Sequence, residues 1–335
     1  MVEGARLESA YTAMSRIVGS NPTPSAILEQ KCERRSPPSP RHLKMSAASQ
    51  FIVRAHDPDF VRGAFGRFFT TKTEFGPKQE KCLMMSKKEL VMKLLKGIET
   101  GDPEAATVVN EAKYIQHNPR TGDGSPGLAE LFARLAKTDP RVTFMRVFED
   151  GDFVFAHIEY DFNEVEAAFE VFRFEDGKAV EHWDNLQPLQ PPNLSGRTML
   201  DGETVIADLD KTEANKELVG GFAQQVLVER RLDLIDSYMA DDLIQHDPEL
   251  ADGVAAFRAA LEAEKHGETR LAYRRVHRVL GEGNFALCMI EGRKDGMHSG
   301  LYSLLRIADG KIVEHWNTAA PIAPRSEWRN NNGKF

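Results

Sequence analysis

Val180-Glu181-His182-Trp183-Asp184-Asn185 decides the fold of this chain, because it returns as Val313-Glu314-His315-Trp316-Asn317-Thr318. Each copy follows an Asp-Gly-Lys turn, at 176–178 and at 309–311. Upstream, Tyr114-Ile115-Gln116-His117-Asn118-Pro119 is answered by Leu243-Ile244-Gln245-His246-Asp247-Pro248. Matched landmarks in one order, at nearly one long spacing, describe two whole domains and not the short period of a solenoid. The copies differ at a chemically telling place, where Asp184 becomes Asn317.

A length of 335 residues agrees with two domains. Hydrophobic content of 41% and charged content of 28% are those of an ordinary soluble globular chain. The net charge of −8 argues against nucleic acid and anionic membranes, which both want a basic surface. No apolar run is long enough to span a bilayer. Cys32, Cys82 and Cys288 are odd in number and scattered, giving neither a disulfide framework nor a zinc pattern. They suit a reducing compartment, so a cytoplasmic location is expected.

Residues 1–85 match neither repeat and read as a poorly ordered or partly helical extension, broken by Ser36-Pro37-Pro38-Ser39-Pro40. Arginines in residues 1–45 raise an organelle transit peptide as an alternative, against which stand Glu3, Glu8, Glu29 and Glu33. Phe60, Phe65, Phe68 and Phe69 could share one short amphipathic helix. Domain 1 spans 86–190 and opens on Ser86-Lys87-Lys88-Glu89, a capping box ahead of the stripe Leu90, Val91, Leu94, Leu95 and Ile98. Ser125-Pro126 has the form of a cap and first-turn proline. Three β-rich runs follow from Val142 to Leu186, broken at Glu149-Asp150-Gly151 and Glu175-Asp176-Gly177. A linker at 191–211 leads to domain 2 at 212–325, which repeats the plan, and the tail 326–335 is expected to fray. Helices, a strand, a helix and then an antiparallel meander make an α+β class. A curved sheet backed by helices forms a cone whose concave face is a pocket.

In these motifs the chain resembles the SnoaL-like (polyketide cyclase-like) family of the nuclear-transport-factor-2-like superfold. The resemblance runs from about Ser86 to Ala323 in two tandem copies. It rests on the Tyr-Ile-Gln-His-Asn-Pro run at 114–119, Gly127, the Asp-Gly-Lys turn and Glu-His-Trp-Asp at 181–184. It implies two tandem cone-shaped α+β barrels and cofactor-free aldol-condensation or cyclase chemistry through a pocket carboxylate. Related folds also serve as isomerases, dehydratases, epoxide hydrolases and plain binding modules, so fold alone leaves function open.

Asp184 is the expected acid/base, since burial in an apolar pocket raises a carboxyl toward useful territory. His117 and His157 are the expected donors to an enolate. Tyr114, Phe153, Phe155, Glu170 and His182 are expected to bind the substrate, a small apolar carbonyl compound. Strand alternation places His157 with Phe153 and Phe155, and His182 with Asp184, opposite Glu181 and Trp183. A three-residue Glu175-Asp176-Gly177 loop would set Glu170 against His182, whereas a two-residue Asp176-Gly177 loop would set it against Trp183. The recurrence of His117 as His246 equally suits a structural role, and Trp183 and Trp316 suit the core. No cofactor is expected. A metal on His117, His157, His182 and Asp184 would lack the usual ligand spacing, so none is expected either. In domain 2, Met289, Ser303 and Asn317 stand where domain 1 has His157, Glu170 and Asp184. That domain is expected to be degenerate, an internal pseudo-dimer partner or a non-catalytic binder, with homo-oligomers as a further arrangement. The alternative from another class is a non-catalytic hydrophobic-ligand-binding or assembly protein.

Overall fold

Two five-stranded sheets of one plan build the molecule, in a computed structural model that describes residues 85–265 and 271–335. The expected extension at 1–85 and its phenylalanine helix lie outside the described residues, apart from Met85. The first repeat opens with α1 (Lys87–Thr100), whose capping box forms as expected. Ser86 Oγ accepts from Glu89 N at 3.2 Å, and Ser86 N donates to Glu89 Oε2 at 2.7 Å. A 3-10 turn (Pro103–Val108), β1 (Ile115–Gln116) and α2 (Gly124–Leu135) follow. The cap of α2 is Asp123, not Ser125, so Pro126 sits within the first turn. Asp123 Oδ1 also accepts from Gln116 N at 3.2 Å, which ties the helix start to β1. Gly127 is needed there, because a Cβ would meet the Gly122 carbonyl oxygen at 1.8 Å.

The sheet continues as β2 (Arg141–Asp150), β3 (Phe153–Asp161), β4 (Val165–Glu175) and β5 (Lys178–Pro188), in the order β1-β5-β4-β3-β2. Only the β1–β5 pair is parallel. Four strands stand where three runs were expected. Asn163, in the left-handed region at φ 90°, turns the chain between β3 and β4.

The second repeat has α3 (Thr212–Gly221) running into a π-helical stretch (Phe222–Val228), a four-residue α4 (Ile235–Tyr238), β6 (Met239–Gln245) and α5 (Val254–Lys265). Strands β7 (Leu271–Glu282), β8 (Phe285–Lys294), β9 (Met297–Ala308) and β10 (Lys311–Pro321) complete it, in the order β6-β10-β9-β8-β7. The fold class is therefore α+β, in two tandem curved sheets each covered by helices.

Register is set by a feature absent from both expected hairpins. The turn is two residues long, Asp176 at φ 50° and Gly177 at φ 74°, as a primed hairpin requires. Val180 is then an extra residue on β5, since Arg173 pairs with Glu181 while Phe174 pairs with Ala179. Val313 is the same bulge on β10. The extra residue turns His182 and Asp184 toward the helices and Glu181 and Trp183 away. Glu170 consequently stands opposite Asp184, neither His182 nor Trp183.

Each sheet packs its helices on one face and the other sheet on its back. Val91, Leu94, Val154, Ile158, Tyr160 and Phe172 belong to the first helix-side core. Between the backs lie Phe148, Phe155, Phe169 and Trp183, against Leu287, Met289, Tyr302 and Trp316. Two cations close this interface reciprocally. Arg146 lies 4.2 Å over the Trp316 ring, and its counterpart Arg278 lies 4.8 Å over Trp183. Such contacts contribute on the order of 2 kcal/mol where desolvated, as at the buried Arg146, and about 1 kcal/mol at the half-buried Arg278.

Two straps complete the exchange. The linker after the first repeat crosses the second: Asn193 Nδ2 donates to Gln245 O at 2.6 Å, and His246 Nδ1 donates to Thr198 O at 2.8 Å. The tail after the second repeat does the same to the first. Asn332 Nδ2 donates to Gln116 O at 3.1 Å, and His117 Nδ1 to Gly333 O at 3.0 Å. The tail expected to fray is therefore docked, with Asn330 and Lys334 buried.

Candidate functional site

The duplication works as an internal control: a polar group that keeps all its contacts in both repeats serves the fold, and one whose partners differ between the repeats is free to serve chemistry. His117 belongs to the first kind. Its Nε2 donates to Glu181 Oε1 at 2.9 Å, Arg173 Nε donates to Glu181 Oε2 at 2.7 Å, and its ring stacks on Trp183 at 4.7 Å. His246, Glu314, Arg306 and Trp316 repeat every contact. Both nitrogens of His117 are engaged on the back of the sheet, away from the helix side that carries Asp184, so the two do not meet as expected.

His157 is displaced from the expected site as well. The alternation with Phe153 and Phe155 holds, but that face packs against the second repeat, leaving none of the three on the helix side of the sheet. Arg146 Nη1 donates to His157 Nδ1 at 3.0 Å, and His157 Nε2 is buried without a partner. Burial, then the Arg146 charge, push its pKa well below the usual imidazole value, so the ring is neutral. Arg146 itself is lowered to about 10 by burial. Its guanidinium also donates to Asp201 O and Glu203 O, both at 2.6 Å.

On the helix side of domain 1 the structure brings together Tyr114, Glu170, His182 and Asp184 from the expected set. His182 Nδ1 donates to Gln116 Oε1 at 2.9 Å, and Nε2 is hydrogen-bonded to Glu170 Oε2. Tyr160, which the sequence reading missed, donates to Glu170 Oε1 at 3.1 Å. Glu170 and His182 can thus hold one proton between them, with the imidazole oriented by Gln116 and the carboxylate by Tyr160. The Tyr114 hydroxyl is buried without a partner, and burial, then the charges of Glu170 and Asp184, raise its pKa. It remains a phenol that can donate.

Asp184 departs from expectation. Asn118 Nδ2 donates to its Oδ2 at 2.6 Å, and Lys334 Nζ donates to its Oδ1 at 3.0 Å and to its carbonyl oxygen. Burial raises the carboxyl, but Lys334, His182 and the two side-chain hydrogen bonds outweigh it, holding the pKa below the usual carboxylate value. The expected upward shift is reversed because a buried ammonium supplies the counter-charge. Lys334 escaped the sequence reading because it lies at the far end of the chain. Donor atoms of Glu170, His182 and Asp184 lie within 4.8 Å of one another, close enough to share a metal ion. In this arrangement the cation beside Asp184 is Lys334, and His182 Nε2 is bonded to Glu170.

Domain 2 keeps the scaffold and changes the ionisable groups. His315 Nδ1 donates to Gln245 Oε1 at 2.8 Å, but Nε2 meets Ser303 Oγ at 3.3 Å, and burial pushes its pKa down to about 3. The carboxylate and amide are transposed, with Asn317 Nδ2 donating to Asp247 Oδ2 at 2.7 Å. That exchange is legible as Asn118 with Asp184 against Asp247 with Asn317, once both motifs are aligned.

Among the described residues no helix is long and apolar enough to cross a membrane. No curated protein matches the chain. Solved structures match over about a third of this chain. An NTF2-like protein of unknown function from Cytophaga hutchinsonii is 20% identical, over 31% of this chain and 92% of that one, with a TM-score of 0.28. Another from Burkholderia xenovorans is 22% identical, over 36% and 97%, with a TM-score of 0.30. An LEH-like epoxide hydrolase from M. tuberculosis is 17% identical, over 32% and 79%, with a TM-score of 0.27. The model of the SnoaL-like domain matches residues 91–182 and again 219–315, together more than half of the chain, so the protein belongs to the SnoaL-like domain family in two tandem copies.

Proposed function

We propose that domain 1 is a cofactor-independent lyase or isomerase of the aldol-condensation or cyclase type, acting on a small apolar carbonyl compound. The observation that carries this reading is the asymmetry between the repeats. Glu170 and Asp184 face one another on a scaffold that domain 2 reproduces with Ser303 and Asn317 in their places. A buried carboxylate costs several kcal/mol more than a serine, and domain 2 folds without the Glu170 carboxylate, while the carboxylate of its amide–carboxylate pair sits at Asp247 instead. Membership of the SnoaL-like family supports the same reaction type.

In the proposed reaction Asp184 takes a proton from the carbon beside the substrate carbonyl, and the C–H electron pair moves onto the carbonyl oxygen. The Tyr114 hydroxyl donates to the resulting enolate oxygen. The enolate then attacks a second carbonyl carbon, or is reprotonated at a different carbon, with His182 and Glu170 supplying the proton. Domain 2 supports domain 1 as an internal pseudo-dimer partner.

One observation favours a second reading, a non-catalytic protein that binds a hydrophobic ligand or makes interfaces. Asp184 is engaged by both Asn118 and Lys334, a state in which it is an ion-pair partner more than a base. Deuterium exchange at the α-carbon of a panel of small apolar ketones separates the two. The enzyme reading expects exchange above the buffer rate, reduced about a hundredfold or more by Asp184→Asn and by Glu170→Gln, with ketone affinity within about tenfold. Absence of exchange across the panel, or undiminished exchange in both variants, leaves the binding reading.

A further inference from the structure

Where the linker leaves domain 1 and passes onto domain 2, a cavity of about 540 Å³ opens. Pro188 at the end of β5, Pro191 and Pro192 in the linker, Pro248 after β6 and Pro321 at the end of β10 all line it. A proline offers no N–H and holds a fixed φ, so this part of the wall is apolar and shaped before any ligand arrives. The volume lies within the range of small-molecule sites, roughly 300–1,000 Å³. None of the acid/base residues proposed for domain 1 belongs to its lining.

Two donors in that lining are unused. Gln187 is only 9% exposed, and its Oε1 accepts from Ala319 N at 2.9 Å, which fixes Nε2 as the free end of the amide. That Nε2 donates to no atom among the described residues, yet it is not sealed from solvent as the Gln245 Nε2 is. A side chain so buried keeps an open donor only toward the cavity it lines. Lys294, half-buried at the end of β8, is the cation of the lining, and among the described residues it makes no hydrogen bond or ion pair. It acts on the buried Asp247 by charge alone, without bonding to it. The acidic lining residues, Asp295 and Glu249, are both exposed and so stand where the cavity meets solvent. Asp295 opens the turn after β8, at φ 48°.

We propose that this cavity binds a free α-amino acid with an apolar side chain. The carboxylate of the ligand accepts from Gln187 Nε2 and Lys294 Nζ, the latter a charge-assisted bond. The ammonium faces the rim, where Asp295 supplies the opposite charge, and the side chain lies against the prolines. A lone anion would meet the rim carboxylates and a lone amine the Lys294 ammonium, so the charge pattern selects the zwitterion over both. The site is independent of the chemistry proposed for domain 1.

The test titrates the full chain with L-leucine, isoamylamine and 4-methylpentanoate, which share one branched body and carry both head groups, the amine alone or the carboxylate alone. Met297 lines the cavity and is 52% exposed, so its methyl resonance reports both location and affinity. The expected result is saturable leucine binding that shifts Met297, at least about tenfold tighter than either analogue. Lys294→Ala breaks no bond among the described residues and should remove most of the preference for leucine over isoamylamine. Asp295→Asn keeps a residue that tolerates the left-handed turn, and should remove most of the preference over 4-methylpentanoate. No saturable binding, leucine no tighter than the analogues, or either preference surviving its variant overturns the proposal.

Discussion

Replacing Lys334 with methionine removes one charge from a pair whose side chains are only 9% and 7% exposed. Breaking such a pair leaves a buried carboxylate with one amide donor, and costs about 3–5 kcal/mol at neutral pH. The cost has a pH signature. The folded-state pKa of Asp184 is depressed, so its contribution is present above the unfolded value of about 3.9 and is lost as pH falls through the folded value. Without Lys334, burial is opposed only by His182 and Asn118, and Asp184 takes up a proton more readily in the folded variant. The deficit of Lys334→Met should therefore be largest near pH 7 and shrink by about half or more at pH 4. Urea unfolding at the two pH values measures it, and Lys334→Arg should retain most of the stability at pH 7. A deficit below about 1 kcal/mol at pH 7, as for an exposed pair, or one equal at both pH values, would show that the ammonium does not hold Asp184.

The transposed amide–carboxylate pair predicts a compensated exchange. Asn118→Asp and Asp184→Asn should each destabilise, and the double variant should recover at least about 1 kcal/mol relative to their sum; simple additivity in unfolding experiments would deny the coupling. The reciprocal arginines should be unequal. Arg146→Met strips donors from the carbonyls of Leu200, Asp201 and Glu203 and from His157, beyond losing Trp316. It should cost several kcal/mol, against about 1 kcal/mol for Arg278→Met, and equal urea midpoints for the two variants would contradict this.

The fold was legible because both copies carry the same landmarks, and strand alternation assigned Glu181, His182, Trp183 and Asp184 to their proper faces. The bulge at Val180 was not legible, since an extra residue inside Lys-Ala-Val-Glu leaves no trace in composition or period. Glu170 reached the side of His182 and Asp184 through that bulge and not through the loop reading. Alternation also gave the face of His157 correctly, yet could not say that this face is covered by a second sheet. Asn163 marks a turn that was readable, because asparagine tolerates the left-handed region. The tail was misread for a physical reason: three asparagines and a glycine look unstructured unless the carbonyls they serve, across the chain at Gln116, Asn118 and Thr121, are known.

The straps also impose an order of events on a chain made from its N-terminus. Domains generally fold as they emerge during synthesis, and the linker strap is available as soon as the second repeat appears. Lys334 lies downstream of the entire second repeat, so the first repeat, though made first, has Asp184 without its ammonium while the second is being made. Acquisition of that contact waits on the second repeat, and of the two repeats the one synthesised first is the one completed last.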